Sequence, residues 1–585
     1  MNRNTLDPIL LTVITNRLES IAREMGAGML RGSRSPIFAE TKDFATAIFD
    51  SQLRLVGQTA YIPVLMGGSP IAVRSISKHF DKNIDKGDVF VLNDPYHGNS
   101  HLPDITVVKP VFIENRPWFW VLARGHHADI GGGGTAGYNP NARTIWEEGI
   151  RIPPCKLYRQ GIYNQDIWNL ILLNVRLPEL VESDLQCQVG ACHLGEKALL
   201  QLLHQYGRQN VQTVIEEMLK RSRKQMQSCI QDLPNGVYHS ERQLDHLLDG
   251  SKDMRPTIRL QLKAKKNRLI FDFSKSDSQI PAYYNSSYSN TVSSCYIGLF
   301  STIAADIKVN EGSTQPIDVI APEGSLLNPK EGAPTTQCTV ATCAAIVESV
   351  WLALSQAVPK LVQAGWARSP SGVGTSLNPR TGRYAAFIFK FTKGGGGATF
   401  GFDGWSHISP VSSMGGARVS DVELHELSFP HRILTYEYRK DSAGAGKWRG
   451  GYGAHFRLQF TEDGTTLSVQ PGSDHEITSP FGLEEGQNAP PGSINIKQKN
   501  GKTIPFKKAA LCKPEKGDIV EFLSSGGGGY GNPYERPVDA IIKDVTAGLL
   551  STEKALQEYG VIIDPQTLIV DLEATKKRRQ NRPKL

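Results

Sequence analysis

The stretch GDVFVLNDPYHGNSHLPDITVVKPVF, residues 87–112, decides how the N-terminal part of this chain folds. Its two apolar runs, VFVL and ITVVKPVF, have the composition of buried strands, and a polar loop rich in histidine connects them. Apolar runs at residues 46–50, 53–58 and 117–127 predict further strands nearby. The loop therefore leaves one predicted strand and enters the next, which places its side chains at a strand end.

Imidazole and carboxylate groups recur at the ends of two of these strands. The loop ends in HLPD, residues 101–104, and the later strand ends in GHHAD, residues 125–129. His101 and Asp104 are close enough in a short loop to face one point, and His126 or His127 can supply a third ligand. Because side chains alternate along a strand, only one of the two adjacent histidines should face that point. The set favours a site for Zn, Mn or Fe over isolated hydrogen-bonding histidines.

Other segments add to this hypothesis without deciding it. Asp43 stands at the head of a predicted strand, where it is either a ligand or a partner that orients an imidazole. Four-glycine runs occur at residues 131–134, 394–397 and 526–529. Each run predicts a sharp turn or a close backbone approach, and the first follows directly after HHAD.

The sequence lacks the common local signatures of nucleotide binding and hydrolysis. The segment DSAGAGKW, residues 441–448, resembles a P-loop but has Asp441 in place of the first glycine and Trp448 in place of the Ser or Thr. No GxGxxG follows a predicted strand in the Rossmann manner. GxSxG and HExxH are absent as well. By itself, the chain offers no convincing ATP site.

Composition limits the class of protein. The 585 residues carry a net charge of +7, with 39% hydrophobic and 21% charged residues, which is ordinary for a globular protein. The only dense basic run, residues 576–585, lacks interleaved aromatics, so we expect a solvated, disordered tail rather than a nucleic-acid site. Neither a signal peptide nor an apolar run of about 18 residues is visible. The eight cysteines show no CxxC spacing. These features predict a cytoplasmic protein with no membrane contact.

The predicted fold class is mixed α/β (α+β), and the length suits two to four domains. Residues 8–31 predict an amphipathic helix, residues 184–206 and 211–233 predict two long helices, and residues 335–362 include a long apolar helix. The predicted division is an N-terminal helix at 1–35, a metal-binding domain at 36–235, a central α/β domain at 236–435, a β-rich region at 436–532, and a helical hairpin with the basic tail at 533–585, in which Ser551 is an N-cap.

Six motifs in order over about 500 residues resemble the hydantoinase B/5-oxoprolinase family. They are DFATAIFD at 43–50, the stretch at 87–112, GHHADIGG at 125–132, IDVIAPEGSLLNP at 317–329, DSAGAGKWRGGYG at 441–453 and GGGGYGNPYERP at 526–537. The family comprises B subunits of ATP-dependent N-methylhydantoinases and caprolactamases, the corresponding half of 5-oxoprolinases, and a related subunit of acetone carboxylase. The chain departs from the family pattern at TTQCTVATC, residues 335–343.

The resemblance implies a division of labour between two subunits. An A-type partner with an actin-like fold binds ATP and phosphorylates the substrate, and the B-type subunit holds a divalent metal and completes the reaction. The family's HxxD pair and later histidine match His101, Asp104 and His126, which makes His126 the ligand rather than His127. Asp43 and Asp129 also fall on family positions and are candidates for the general base.

The reaction that the resemblance implies first is ATP-dependent ring opening of a cyclic amide, 5-oxoproline or a hydantoin. Phosphorylating the amide oxygen makes the carbon electrophilic enough for attack by a water that a metal activates. Carboxylation of a ketone, as in acetone carboxylase, is the alternative reaction. A non-catalytic assembly subunit is the alternative of a different class, and retention of all three ligand residues argues against it.

Overall fold

The computed structural model describes residues 7–245, 254–378, 380–408 and 410–581. Its helices are α1 Pro8–Gly32, α2 Pro36–Ala39, α3 Ser69–Phe80, α4 Gln165–Leu173, α5 Pro178–Tyr206, α6 Arg208–Gln231, α7 Tyr288–Phe300, α8 Glu311–Thr314, α9 Ala341–Ser355, α10 Val422–Ser428, α11 Val538–Thr546, α12 Thr552–Tyr559 and α13 Leu572–Gln580. Among these helices, none is both long enough and apolar enough to cross a membrane.

The strands are β1 Phe44–Asp50, β2 Leu55–Ala60, β3 Val89–Leu92, β4 Asp104–Ile113, β5 Arg116–His126, β6 Cys155–Arg159, β7 Ile162–Tyr163, β8 Gly236–Gln243, β9 Thr257–Lys265, β10 Arg268–Asp272, β11 Ile317–Ile320, β12 Ser371–Leu377, β13 Tyr384–Ile388, β14 His431–Tyr438, β15 Ala454–Phe460, β16 Thr466–Gln470, β17 Ser493–Lys497, β18 Thr503–Pro505, β19 Ala510–Cys512 and β20 Ile519–Leu523. The fold is therefore mixed α/β, as the sequence predicts.

A seven-stranded antiparallel sheet in the order β2-β1-β5-β4-β3-β6-β7 organises the N-terminal part. Its central strand β4 is buried along nearly its whole length, because both faces of the sheet are covered. Helix α1 turns the fully buried side chains of Ile14, Leu18 and Ile21 inward. Their spacing of three or four residues gives the apolar stripe that a helix needs to pack on a core.

Three further sheets complete the fold, in the orders β11-β10-β9-β8, β13-β12-β16-β19 and β14-β15-β20-β17-β18. In the second of these sheets, strands from residues 371–388 pair with strands from residues 466–512. Strands on either side of residue 435 thus share one sheet. The domain boundaries drawn from the sequence stay a prediction.

Most of the helices predicted from the sequence are confirmed. Helices α1, α5, α6 and α9 lie where the periodicity predicts them, although only Gly207 separates α5 from α6. The C-terminal hairpin is also confirmed, and the Ser551 hydroxyl accepts from the N–H of Lys554 as an N-cap.

The first half of the basic run at the C-terminus is helical. The expected disordered tail is wrong for residues 576–580, which lie in α13, and residues 582–585 lie outside the described residues. Arg579 explains the difference, because its guanidinium donates to the carbonyls of Tyr559 and Arg536 and ties this helix down.

The second and third glycine runs pack against each other in a layer of bare backbone. The N–H of Gly527 donates to the carbonyl of Gly451, and the N–H of Gly451 donates to the carbonyl of Gly396. A Cβ added at Gly527 would lie 1.8 Å from the Gly396 oxygen, and one at Gly397 would lie 1.9 Å from the Ala364 oxygen. Only glycine allows backbones to approach this closely. The close backbone approach expected for these runs is therefore confirmed.

Gly527→Ala should destabilise the chain, because the clash is with rigid backbone and the layer must open to admit a methyl group. Overpacking of this kind typically costs about 1–3 kcal/mol. A thermal melt followed by circular dichroism measures the effect. Gly190→Ala is the matched control, since Gly190 lies within α5 with nothing within 4 Å of the added Cβ. Equal melting temperatures for the two variants would contradict this account of the layer.

A pair of buried histidines lies in the C-terminal β region. His425 Nε2 is 3.0 Å from His431 Nδ1, and Phe387 contacts the His431 ring edge-on. Burial lowers the pKa of His425 to about 4, and burial together with His425 lowers the pKa of His431 well below its usual range. The folded chain therefore keeps both rings neutral at a pH where an unfolded chain, with an ordinary histidine pKa of about 6.5, takes up protons.

The stability of this region should fall as the pH drops from about 6.5 towards 4, because protons bind the unfolded state first. The double variant His425→Phe, His431→Phe should lose part of that pH dependence, and melting temperatures measured between about pH 4.5 and 7.5 test this. His204→Phe replaces an exposed histidine and serves as the control. A double variant with the same pH dependence as the control would refute a role for the pair.

Candidate metal centre

Three strand ends of the seven-stranded sheet bring Asp43, Asp104 and His126 together. Asp104 is the first residue of β4, His126 is the last residue of β5, and the two are direct cross-strand partners. The N–H of His126 donates to the carbonyl of Asp43, which directly precedes β1. Because neighbouring strands are antiparallel, a segment that enters one strand meets a segment that leaves the other. The two histidine-bearing segments of the sequence are therefore adjacent.

Two buried asparagines shape the loop that carries His101. The amide of Asn93 donates to the carbonyls of Leu102 and Ile150, and the amide of Asn99 donates to the carbonyls of Asn93 and His101. Side-chain amides thus replace the regular ladder bonds that a loop lacks, so that its buried backbone stays paired. His101 is held in a fixed position although it lies outside the strands.

The ligand atoms of His101, Asp104 and His126 all lie within 4.8 Å of one another. His101 Nε2 is 3.0 Å and His126 Nδ1 is 3.2 Å from Asp104 Oδ1. All three residues are buried. His126 Nε2 has no hydrogen-bond partner among the described residues, and the contact of His101 Nε2 with Asp104 Oδ1 does not form a hydrogen bond. Buried polar atoms are almost always paired, so two such atoms around one carboxylate point to a missing ligand.

The electrostatics of the cluster favour a cation beside Asp104. Burial opposes ionisation of Asp104, but the neighbouring His101 and His126 outweigh it and hold the pKa of this carboxyl far below its usual range. Burial likewise opposes charge on His101, and Asp104 together with the Thr336 carbonyl raises the pKa of that ring. A buried carboxylate needs positive charge nearby. Two imidazoles and one carboxylate also form a donor set that suits Zn, Mn or Fe, so these residues fit a divalent ion.

A buried glutamate fixes the orientation of His101 through a neighbouring peptide. Glu148 accepts from the N–H of Thr335 at 3.0 Å and from the N–H of Thr336 at 2.8 Å. The Thr336 carbonyl lies 2.6 Å from His101 Nδ1 and accepts a hydrogen bond from the N–H of this ring. Nε2 of His101 is then the atom left for a ligand, which is the arrangement that metal-binding histidines usually show. Burial raises the pKa of Glu148 to about 7.

Asp43 and Tyr138 line the same cavity as the cluster. The Tyr138 ring stacks on His126 with centroids 5.8 Å apart, and burial raises the pKa of its hydroxyl well above the ordinary value. Tyr138 therefore keeps its proton and can donate a hydrogen bond into the cavity. Asp43 adds a second carboxylate beside the Asp104 cluster.

The structure separates other candidates from the cluster. Asp129 does not line the cavity and instead pairs with Arg176, so its role as a base stays a prediction. His127 Nε2 is 2.9 Å from Gln188 Oε1 of α5, so of the two adjacent histidines only His126 joins the cluster. His97, whose side chain is 37% exposed, has its Nδ1 2.7 Å from Asp94.

Sequence reasoning missed Glu148 and Tyr138. Tyr138 follows the first glycine run, and Gly132 of this run approaches the Glu148 carbonyl so closely that an added Cβ would lie 2.4 Å from it. These glycines thus position residues behind the cluster rather than the ligands themselves. The departure from the family pattern at residues 335–343 was a further signal, because it includes the Thr335 and Thr336 peptides that Glu148 holds.

Comparison with known proteins identifies the family. The pattern of the Hydantoinase B/oxoprolinase family matches residues 7–533. The chain belongs to this family. It is 34% identical over 567 residues to the beta subunit of the caprolactamase of Pseudomonas jessenii, covering 96% of this chain and 97% of that protein. It is 30% identical over 596 residues to the B subunit of a putative D-/L-hydantoinase of Pseudomonas sp. strain NS671, covering 98% of both.

Longer family members and solved structures agree with this assignment. The 5-oxoprolinase of Dictyostelium discoideum is 29% identical over 90% of this chain, which spans 40% of that protein. The crystal structure of the ATP-dependent caprolactamase from Pseudomonas jessenii superposes with a TM-score of 0.92 at 33% identity, over 99% of this chain and 100% of that one. Nucleotide-free acetone carboxylase has a TM-score of 0.89 at 20% identity, over 99% and 84% of the two chains, and so shares the fold.

Glu148→Ala should lower the affinity of the centre for a divalent ion by about 10- to 100-fold, because the Thr336 carbonyl that orients His101 loses its support. Titration of the metal-free protein with Zn²⁺ or Mn²⁺ measures the dissociation constant. Glu147→Ala changes the exposed neighbouring glutamate and should leave the affinity unchanged. Metal binding as tight in Glu148→Ala as in Glu147→Ala would show that Glu148 does not orient His101 through the Thr336 carbonyl.

Proposed function

We propose that this chain is the metal-binding B subunit of an ATP-dependent cyclic-amide hydrolase. In this proposal an A-type, actin-like partner uses ATP to phosphorylate the amide oxygen, and the present chain opens the ring. The observation that carries the proposal is the buried cluster of His101, Asp104 and His126, facing a cavity in a member of this family. Two relatives that are themselves named as subunits support a hetero-oligomer. Because the partner consumes ATP, we place the reaction in the cytoplasm.

The residues of the cavity suit hydrolysis of an activated amide. His101, Asp104 and His126 would hold a divalent ion, which would supply Lewis acidity and lower the pKa of a bound water. We assign Asp43 as the base that takes the proton of the attacking water, because it is a cavity carboxylate beside the cluster and Asp129 is held by Arg176. Tyr138 remains protonated and donates a hydrogen bond to a substrate heteroatom. Phosphorylation of the amide oxygen removes the resonance that makes the carbonyl carbon unreactive.

The substrate class is the cyclic amide, with 5-oxoproline and hydantoins as the first compounds to test. The relatives named as caprolactamase, hydantoinase and 5-oxoprolinase support this class. The decisive experiment is to purify the chain with its A-type partner and to measure ATP turnover and ring opening with 5-oxoproline, hydantoins and caprolactam. Acetone with bicarbonate belongs in the same panel. Turnover of acetone alone would replace hydrolysis by carboxylation, and a complex that turns over none of these compounds would contradict the proposal.

His101→Ala should abolish metal content and ATP-coupled ring opening together, because the remaining two ligands no longer enclose the ion. Metal analysis by mass spectrometry and an assay of ring opening measure the two effects. His97→Ala alters the partly exposed histidine of the same loop and should keep both properties. Full ring opening by metal-free His101→Ala would refute the metal mechanism.

Asp43→Asn distinguishes a base from a ligand. If Asp43 is the base, the variant should keep its metal and lose at least about 100-fold in the rate of ring opening, which is the usual range for general-base catalysis. Loss of the metal along with the activity would instead make Asp43 a ligand. The same metal analysis and kinetic assay decide the point.

A further inference from the structure

The cavity has a second wall that the metal centre does not explain. This wall comes from β12 and β16, where Ser371 is the cross-strand partner of Gln470, and from the segments around Lys393 and Ser413. Asp104 and His126 of the cluster lie at the ends of β4 and β5 in the seven-stranded sheet, so the cavity lies between this sheet and the sheet of β12 and β16. The cavity carboxylates, Asp43 and Asp104, both belong to the wall of the seven-stranded sheet.

Gln470 lines the cavity and carries a hydrogen-bond donor that none of the described residues accepts. Its Oε1 accepts from Gln337 Nε2 at 2.9 Å and from the Ser371 hydroxyl at 3.2 Å. These two bonds fix the amide plane and leave Nε2 without a partner among the described residues, although Gln470 is only 2% exposed. A buried amide N–H without an acceptor is uncommon and calls for a ligand that accepts hydrogen bonds.

Lys393 brings a positive charge to the same wall. It is 9% exposed, and its ammonium group donates to the Ala417 carbonyl at 2.8 Å. Among the described residues that line the cavity, it is the only lysine or arginine. An ammonium group has three N–H donors and can therefore serve several acceptors at once. A lysine at a cavity wall is a common partner of phosphate groups.

Hydroxyl groups surround these two donors. Ser369 and Ser413 both line the cavity and are buried. The Ser369 oxygen accepts from the N–H of Gly394, which leaves its own O–H to donate. The Ser413 hydroxyl donates to the Pro410 carbonyl, so its oxygen can accept from water or a ligand. The wall therefore combines one ammonium, one amide and several hydroxyls.

We propose that this wall is an oxyanion site that holds the phosphoryl group of the activated substrate. Lys393 and Gln470 would bind the phosphoryl oxygens and turn the electrophilic carbon towards the metal centre. This inference rests on the proposed function and adds to it the recognition of an O-phosphorylated cyclic amide. A carboxylate on the substrate itself offers the same oxyanion chemistry, and the experiments below separate the two sources.

The first experiment titrates inorganic phosphate into the full chain, both metal-free and loaded with Mn²⁺, by isothermal calorimetry. We expect binding by the wild type in both states, and at least about tenfold weaker binding by Lys393→Met and by Gln470→Glu, since each loses a donor to the oxyanion. Lys393→Arg should keep most of the affinity because it keeps the charge. Lys440→Met makes the same change at an exposed lysine and should behave as wild type. If Lys393→Met fails to fold, the phosphate affinity of Gln470→Glu decides the outcome.

Unchanged phosphate affinity in Lys393→Met and Gln470→Glu would overturn the inference, as would phosphate binding that requires the metal in every variant.

The second experiment compares ring opening per ATP in the complex for 5-oxoproline, which carries a carboxylate, and for hydantoin, which does not. If Lys393→Met and Gln470→Glu lose ring opening with both substrates, the result supports phosphoryl recognition. If they lose it with 5-oxoproline alone, the wall binds the substrate carboxylate and the inference is overturned. Failure of the proposed function would appear in the wild type, as absent metal or absent ring opening.

Discussion

The rest of the site depends on one constraint, the burial of the Asp104 carboxylate. A carboxylate removed from water is destabilised by several kcal/mol unless positive charge or strong donors surround it. In this chain two imidazoles flank one carboxylate oxygen, and the Ser100 hydroxyl donates to the other. The arrangement satisfies the cluster only in part, because among the described residues His126 Nε2 has no partner and His101 Nε2 forms no hydrogen bond with Asp104. A divalent ion would satisfy the carboxylate and the imidazoles at once, which would account for a charged cluster so deep in the fold.

Placing the cluster there requires parts of the chain that are far apart in sequence. Residues 93–104 supply two ligands, β5 supplies the third, and the peptides of Thr335 and Thr336 reach across to orient His101. Glu148 holds those peptides from a fourth segment. The candidate metal centre thus joins the seven-stranded sheet to the helix-rich segment around α9. Substitutions of the residues that support the ligands can therefore weaken metal binding, in addition to substitutions of the ligands themselves.

Local patterns in the sequence predict the strands and the ligand candidates, because both depend on neighbouring residues. His101 and Asp104 are three positions apart, and alternation along β5 separates His126 from His127. Glu148 and Gln470 escape such reasoning, since each acts through partners more than 100 residues away. The glycine runs predicted close backbone contact, but their sequence does not indicate which segments meet. The same limit applies to the C-terminal basic run, whose order depends on Arg579 reaching the carbonyls of Tyr559 and Arg536.

The glycine layer also ties one wall of the cavity to residues far along the chain. Lys393 directly precedes the second glycine run, whose Gly395 donates to the Ser525 carbonyl, and the Ser524 hydroxyl donates to the Thr392 carbonyl. The wall that carries Lys393 is therefore held by residues 132 positions further along the chain. Closing a loop of this length costs conformational entropy, which the hydrogen bonds of the layer must offset. The chain can therefore complete this wall of the cavity only once residues 524 and 525 are in place.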